Sequence, residues 1–533
     1  MSLGQEPPPA TFAPPHNARG EPLNPWMVAV TVALTTFMEV LDISIANVAL
    51  RHIAGDLGAG QDEATWVLTS YMVSNAIVLP ISGWLSSLLG RRRFYMLCVT
   101  LFTASSLLCG LAPNLFMLIL FRTLQGIGGG GLQPSSQAIL SDTFPPAKRG
   151  MAFAVYGLTT VLAPAIGPTV GGWITDSFNW RWIFLINVPV GFISLYFTSR
   201  LVFDPPQFTA QRQQQKSRGF TVDYMGFILL TLGFGALQIF LDKGQQEDWF
   251  DSHFIVTLAV ISGTALALLP WWELRQKDPM VDIRLLRDKN FLFSNILMFL
   301  LGFVLFGSTV LLPLLVQTLM GYSAMDAGML LSPGGIAVLC FMPFIGMMVN
   351  RVDVRHMITF GVLANALALF LLSRTDLQAD YASLATLRVI QGVGLGFLFV
   401  PLNTIAFANI PMAKSSNASA IINLSRNLGG SFGISLMQTW LTQGTQRHQV
   451  DLVAHVTAFS SDTQDTLNRL VQALMAQGVT AGEALTKAQA VLLQSVQQQA
   501  ASLAFLDNFR LLAFLFLAFI PLVYVMKKPV RHG

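Results

Sequence analysis

Two carboxylates, Glu39 and Asp42, and an arginine–glutamine pair, Arg122 and Gln125, sit inside stretches of sequence that are otherwise apolar. Each pair is spaced three residues apart, which on a helix places both members on roughly one face. A charge at the centre of a bilayer costs about 2.5–3.5 kcal/mol on insertion scales, so such residues need a reason to be there. Two carboxylates this close in a low-dielectric setting titrate as a coupled pair. The chemistry they offer is reversible proton binding, with its occupancy sensed by Arg122 or by a cationic substrate. The same residues would also serve as an ion pair that only fastens two helices together, and both readings stay open. Asn47, more than a turn beyond Asp42, and Gln125 are candidates for a substrate cavity.

The remaining polar residues narrow the chemistry further. No histidine lies well inside an apolar run, which leaves carboxylates as the titrating groups. Arg388 and Arg426 have no acid in their own runs and are expected to hydrogen-bond helix-end carbonyls. Asp223 and Asp242 bracket another run near its ends, where solvation or helix capping is expected. Cys98, Cys109 and Cys340 all fall in apolar runs without metal-ligand spacing or a disulfide framework, and read as small packing residues. No nucleophile–base arrangement or zinc spacing stands out, so neither a hydrolase nor a metal or cofactor enzyme is expected.

The elements that must position these groups follow from composition. Of 533 residues, 53% are hydrophobic and 11% charged, against roughly 25% charged in soluble domains. A large water-soluble enzyme is excluded, and so is a disordered chain, which would be poor in apolar residues. The basic pI of about 9.0 comes from bases clustered between apolar runs, not from a nucleic-acid-binding face. A membrane helix needs roughly 20 apolar residues, and the chain offers fourteen: 26–48, 65–87, 94–112, 115–140, 151–173, 181–203, 222–242, 254–273, 291–318, 325–349, 357–373, 382–408, 416–440 and 507–526. With an even count both termini share one side. That side holds 21 of the 32 Lys and Arg, the opposite side seven, which by the positive-inside rule makes both termini cytoplasmic. The proline-rich residues 1–25 read as a flexible tail, not a cleaved signal peptide.

An internal repeat divides these spans. Arg122-x-x-Gln125-Gly126-x-Gly128-x-Gly130 recurs as Arg388-x-x-Gln391-Gly392-x-Gly394-x-Gly396, and Pro145-x-Ala-Lys148 as Pro411-x-Ala-Lys414, both at an offset of 266 residues. The glycine and basic turn at Gly83–Arg93 has a weaker echo at Gly346–Arg355. Spans 1–6 therefore match spans 9–14, with spans 7 and 8 inserted. The expected layout is a tail 1–25, a six-helix bundle 26–203, a hairpin 204–290 with its flanking segments, a second bundle 291–526 containing an outer segment 441–506, and a tail 527–533. Duplicated halves that meet at a midplane cavity and rock against each other are a transporter pattern. In span 5, Gly167-Pro168 and Gly171-Gly172 combine a proline, which frees backbone groups, with glycines that permit close packing.

These motifs resemble the major facilitator superfamily, and within it the fourteen-span drug:proton antiporters of the EmrB/QacA type, closest to the EmrB branch. Leu41-Asp42 to Leu50 resembles the family's first-span motif. Arg122 with Gln125-Gly126 resembles the fourth-span motif, and Gly157 through Gly172 the antiporter motif of span 5. The run Phe178-Asn-Trp180-Arg181-Trp182 to Asn187-Val-Pro189-Val-Gly191 is also typical. The resemblance implies an all-α integral membrane protein with the major facilitator fold and fourteen helices in a six, two, six arrangement. It implies proton coupling through Asp42, Glu39 and Arg122, and conformational roles for Gly83, Gly90, Arg91 and Arg92. Ser87 and Leu88 stand where that loop signature has an acid and a base, so its usual charge-pair latch is not expected in that form.

The implied activity is export of amphipathic toxic compounds by alternating access across a bacterial inner membrane, driven by the proton gradient and without a cofactor. The alternative is export of an endogenous metabolite, fatty acid or siderophore by the same machinery; a channel or membrane-embedded binding protein is a third class. The long outer segment resembles that of the EmrB branch, which implies a periplasmic adaptor and an outer-membrane channel as partners. Two amphipathic helices are expected in it, near 462–477 and 480–503, the second opened by a capping box at Thr480 and Glu483.

Overall fold

The computed structural model describes residues 24–204, 223–349, 351–457 and 460–526, and among them all regular structure is helical. Most of the tail 1–25 and the whole tail 527–533 lie outside the described residues. The helices are α1 (Pro25–Leu57), α2 (Gln61–Ala64), α3 (Trp66–Leu89), α4 (Arg91–Gly110), α5 (Leu115–Gly129), α6 (Leu132–Thr143), α7 (Pro146–Ser177), α8 (Trp182–Leu185) and α9 (Asn187–Leu201). They continue as α10 (Tyr224–Lys243), α11 (His253–Glu273), α12 (Lys289–Thr318), α13 (Ala324–Met348), α14 (Val354–Leu372) and α15 (Tyr381–Ala406). The last four are α16 (Ser415–Val453), α17 (Ser461–Ala476), α18 (Ala481–Ala518) and α19 (Ile520–Val525).

Local chemistry sets many of the helix ends. Asn24 caps α1, its side chain accepting from the Trp26 amide at 3.0 Å ahead of Pro25 in the first turn, and Gly58 ends the helix in the left-handed region. Asp223 caps α10 by accepting from the Gly226 amide at 2.9 Å, and Asp288 caps α12 in the same way through Phe291. Ser323 and Asp326 form a reciprocal capping box at the start of α13.

Thirteen stretches among the described residues are long and apolar enough to cross a membrane. The fourteenth expected span, within α16, is rich in glycine and polar residues and falls short on hydropathy, though it belongs to a helix of 39 residues. Span 4 is interrupted at Gly130 and Gly131, which separate α5 from α6.

The outer segment differs from expectation in two ways. The first amphipathic helix is present as α17. The second does not stand apart from the last span: α18 runs unbroken through both, and Thr480 makes no side-chain capping bond. Its thirty-eight residues span about 57 Å at 1.5 Å per residue, more than the roughly 30 Å of a hydrocarbon core, so a rigid rod joins the outer segment to the membrane part.

Packing brings the two repeats together along two seams. α7 lies along α1 of its own repeat and α13 of the other, while α3 lies along α16; α12 packs on α16, and α14 on α15. The end carrying Arg91 and Lys414, called here the basic end, is tightly closed. A Cβ added to Gly83 would fall 2.8 Å from the Asn417 Cα, and one on Gly346 2.9 Å from the Met151 Cα. The inserted hairpin, α10 and α11, packs on α3, where Asp242 bonds Thr69, and reaches α16, where Ser431 donates to Gln238 at 2.9 Å.

Candidate functional site

α1 brings Glu39 and Asp42 into the interior, 1% and 2% exposed. Close approach makes this possible. Gly126 and Gly128 let α5 press against the backbones of α3 and α4, leaving Arg122 wholly buried with its Nε donating to the Val67 carbonyl at 3.1 Å. The Arg122 Nη1 donates to Asp42 Oδ2 at 2.6 Å and to Gln125 Oε1 at 2.9 Å. The other Asp42 oxygen accepts from Gln125 Nε2 at 3.0 Å and from Asn187 Nδ2 at 2.7 Å, and Ser106 ties both amides together. Tyr71 lies under the guanidinium, its ring centroid 4.4 Å away. Asp42 thus has a cation on one oxygen and two amide donors on the other.

Glu39 takes no part in that cluster. Its Oε1 accepts from Gln133 Nε2 at 3.0 Å, the Asn75 side chain lies beside the same carboxylate, and Gln133 Oε1 accepts from Arg426 of α16. A single amide therefore links an acid of one repeat to a base of the other. Arg426 does not bond helix-end carbonyls as expected. Its acceptors are the side-chain amides of Gln133 and Asn427, because its helix faces α6 here instead of ending. Arg388 likewise bonds a side chain, Gln391, a turn away on its own helix.

Beside these groups lies a cavity of about 100 Å³ between the repeats. Its wall is mostly apolar, with Ile43, Met72, Leu79, Val161, Leu305 and Phe306 among its residues, and polar groups come from Asn75, Gln133, Gln238, Ser431 and Arg426. Neither residue expected on this wall is there. Asn47 lies on an exposed part of α1, and Gln125 is spent on Asp42, Arg122 and Ser106. Sequence reading missed Gln133, Gln238 and Asn187. The signal available for the first was a second amide, Gln137, one turn further on in the same apolar stretch.

The expected conformational residues occupy the basic end and the α1–α7 contact. Gly90, at φ 88°, makes the sharp joint between α3 and α4, a backbone region that L side chains rarely adopt. Arg91 is buried, ion-paired with Asp142 at the end of α6, and donates to Ser415 Oγ at 2.7 Å; Asp142 also accepts from Ser415. Asp142, in the same repeat as Arg91, thus takes the place of the acid missing at Ser87, and Ser415 of the other repeat bonds both members of the pair. Arg92 stays within its own repeat, its amide donating to Asp204 and its side chain to the Ser199 carbonyl. Gly167 and Gly171 face Ser44 and Ile45 of α1, with Pro168 between them inside α7, whereas Gly172 faces open space and adds nothing to that packing. At the opposite end, Arg181 and Trp180 both bond Asp56 at the end of α1, at 2.6 and 2.9 Å.

A largely apolar cavity with a few polar groups and one charge, set between duplicated helical repeats and sealed at one end of a multi-pass membrane protein, defines a secondary transporter and not an enzyme. The chain belongs to the major facilitator superfamily: the model of that family matches residues 32–434. It is 36% identical over 508 residues to the fatty acid resistance protein FarB of Neisseria gonorrhoeae, covering 95% of this chain and 97% of that protein. It is 34% identical over 508 residues to the multidrug export protein EmrB of Escherichia coli K12, covering 95% and 96%. Among solved structures it is similar to the proton:xylose symporter XylE, with a TM-score of 0.57 at 16% identity, covering 94% of this chain and 99% of that one. The last likeness concerns the fold alone.

Proposed function

We propose that the protein is a proton-coupled multidrug efflux transporter of a bacterial inner membrane, with both termini and the basic end in the cytoplasm, exporting amphipathic compounds by alternating access. The observation that carries this reading is the wholly buried Asp42–Arg122 pair, bridged by Gln125 and Asn187, in a chain similar over nearly its whole length to a multidrug export protein. A proton on Asp42 Oδ2 turns that oxygen from acceptor to donor, facing a group that can only donate. The contact between α1 and α5 then loses its attraction. Arg122 keeps the Val67 and Gln125 oxygens and its ring contact, so it stays in place while α1 is released to tilt.

The driving force suffices. One proton crossing 100 mV releases about 2.3 kcal/mol, enough for roughly a fiftyfold gradient of a neutral cargo, and each pH unit adds about 1.4 kcal/mol, a further factor of about ten. No cofactor is required. At about 100 Å³ the cavity is smaller than the roughly 300–1,000 Å³ of drug-sized sites, so loading requires the two repeats to part.

The similarity to FarB supports a second reading, in which the cargo is a fatty acid or other endogenous amphiphile. Substrate profiling of a knockout strain separates the two. The outer segment with α17 and the extended α18 is proposed to dock a periplasmic adaptor leading to an outer-membrane channel. Unchanged adaptor co-purification after deletion of 445–500 would count against it.

The transport reading is tested in liposomes carrying lipophilic dyes under an imposed pH gradient. Dye movement should follow the gradient in the wild type and stop when nigericin and valinomycin collapse it. Movement at an unchanged pace after collapse contradicts the reading.

A further inference from the structure

Arg426 is the one charged residue among the described residues lining the cavity, and it is 3% exposed. Buried guanidinium groups are ordinarily matched by a carboxylate. Among the described residues none lies within ion-pair distance of Arg426. Its charged group is met by the neutral amide oxygens of Gln133 and Asn427 and by the Tyr156 hydroxyl, and its Nε is unbonded. Gln133 is itself held from behind, its amide nitrogen donating to Glu39. This fixes the orientation of the amide: nitrogen toward the acid, oxygen toward the base. The Gln133 oxygen therefore occupies the position at which a stronger, charged acceptor would sit. Around the guanidinium the wall is hydrocarbon, from Leu305, Phe306, Phe399, Leu424 and Leu428.

From this geometry we infer that Arg426 is the charge-selecting residue of the cavity, taking the carboxylate of an organic anion with a hydrocarbon body, and that Gln133 is its internal stand-in, displaced when the anion arrives. The inference rests on the reading of this cavity as the cargo site and adds the class of cargo it favours. A carboxylate outcompetes an amide oxygen for a guanidinium because charge-assisted, two-point bonds are roughly twice as strong as neutral ones. The displaced Gln133 oxygen turns away from α16, loosening a bridge between the repeats. Cargo binding is thereby felt first at Glu39 and at the α6–α16 contact, and it reaches the Asp42 cluster through α1, which carries both acids.

The test compares three probes of one shape: 2-naphthoate, 2-naphthamide and 2-naphthylmethylammonium, each bound at equilibrium to the full-length protein in nanodiscs without any ion gradient. The wild type should favour naphthoate over naphthamide by roughly tenfold and bind the ammonium weakest. Arg426→Gln should erase the acid-over-amide preference while still binding naphthamide, and Arg426→Lys should restore part of it. Gln133→Ala removes the internal competitor and should tighten naphthoate relative to naphthamide, the opposite direction to the arginine variant. An unchanged acid-to-amide ratio in Arg426→Gln overturns the inference, as does a wild type with no preference. If Arg426→Gln binds no probe, Gln133→Ala decides, and its failure to shift the ratio overturns the inference. Because these are ratios taken without a gradient, they stand or fall apart from proton-driven transport.

Discussion

The two repeats carry the same arginine–glutamine pair and differ in what that pair faces. In α5, Arg122 donates to Gln125, whose amide donates to Asp42 and Ser106. In α15, 266 residues on, Arg388 donates to Gln391, whose amide donates to Ser308 at 2.9 Å. Ser308 stands 266 residues after Asp42, so a hydroxyl occupies the place of the carboxylate. Arg388 has no carboxylate partner among the described residues, and its Nε is unbonded. The duplicated fold thus supplies the arginine–glutamine pair twice and a carboxylate beside it once. The seams follow the opposite pattern: Gly83 against Asn417 and Gly346 against Met151 are close approaches of nearly equal tightness, one on each side. Motion of the halves is served symmetrically, while the group proposed to sense protons sits on one side only.

The largest difference expected between the repeats is functional. Asp42→Asn should reduce proton-driven dye efflux to the gradient-independent background, measured in liposomes. If the Asn variant retained efflux at the wild-type rate, the asymmetry would carry no functional meaning. Next in size is stability. Arg122→Leu leaves Asp42 buried beside two amides without its cation, a loss of about 3–5 kcal/mol. Arg388→Leu removes a guanidinium that has no carboxylate and leaves only the Gln391 oxygen short of a donor, about 1–3 kcal/mol. Thermal unfolding in one detergent should rank Arg122→Leu well below Arg388→Leu, and equal midpoints would break the comparison.

The third prediction concerns the symmetric feature. Gly83→Leu and Gly346→Leu should each wedge the basic end apart and raise labelling of a cysteine placed at Ser86 by similar factors. A response to only one of them would show that the seams are unequal after all. The smallest effect belongs to Ser308→Ala, which removes one neutral hydrogen bond worth about 1 kcal/mol and should leave efflux within about twofold.

Much of this was legible in the sequence where information is local. The three-residue spacing of Arg122–Gln125 and the repeated Arg-x-x-Gln-Gly pair those side chains before any fold is known, whereas Glu39, spaced in the same way from Asp42, bonds Gln133 apart from it. What the sequence hid depends on contacts between distant elements. Asn187 lies 145 residues from the carboxylate it bonds and stood out only as part of a typical run. Asp142 answers Arg91 from the end of α6, two helices beyond the loop signature, and Arg426 finds its acceptor 293 residues away on α6. The continuous α18 was obscured for a different reason. A polar, glutamine-rich stretch passes into an apolar one without a helix breaker, and a hydropathy boundary was read as a structural one.

The central claim is that Asp42 exchanges a proton when cargo binds. It is tested most directly by following pH in a weakly buffered solution of purified protein as a lipophilic substrate is added. The account predicts a substrate-dependent proton release from the wild type that disappears in Asp42→Asn, while Ser308→Ala releases as the wild type does. Undiminished release from the Asp42→Asn protein would contradict it.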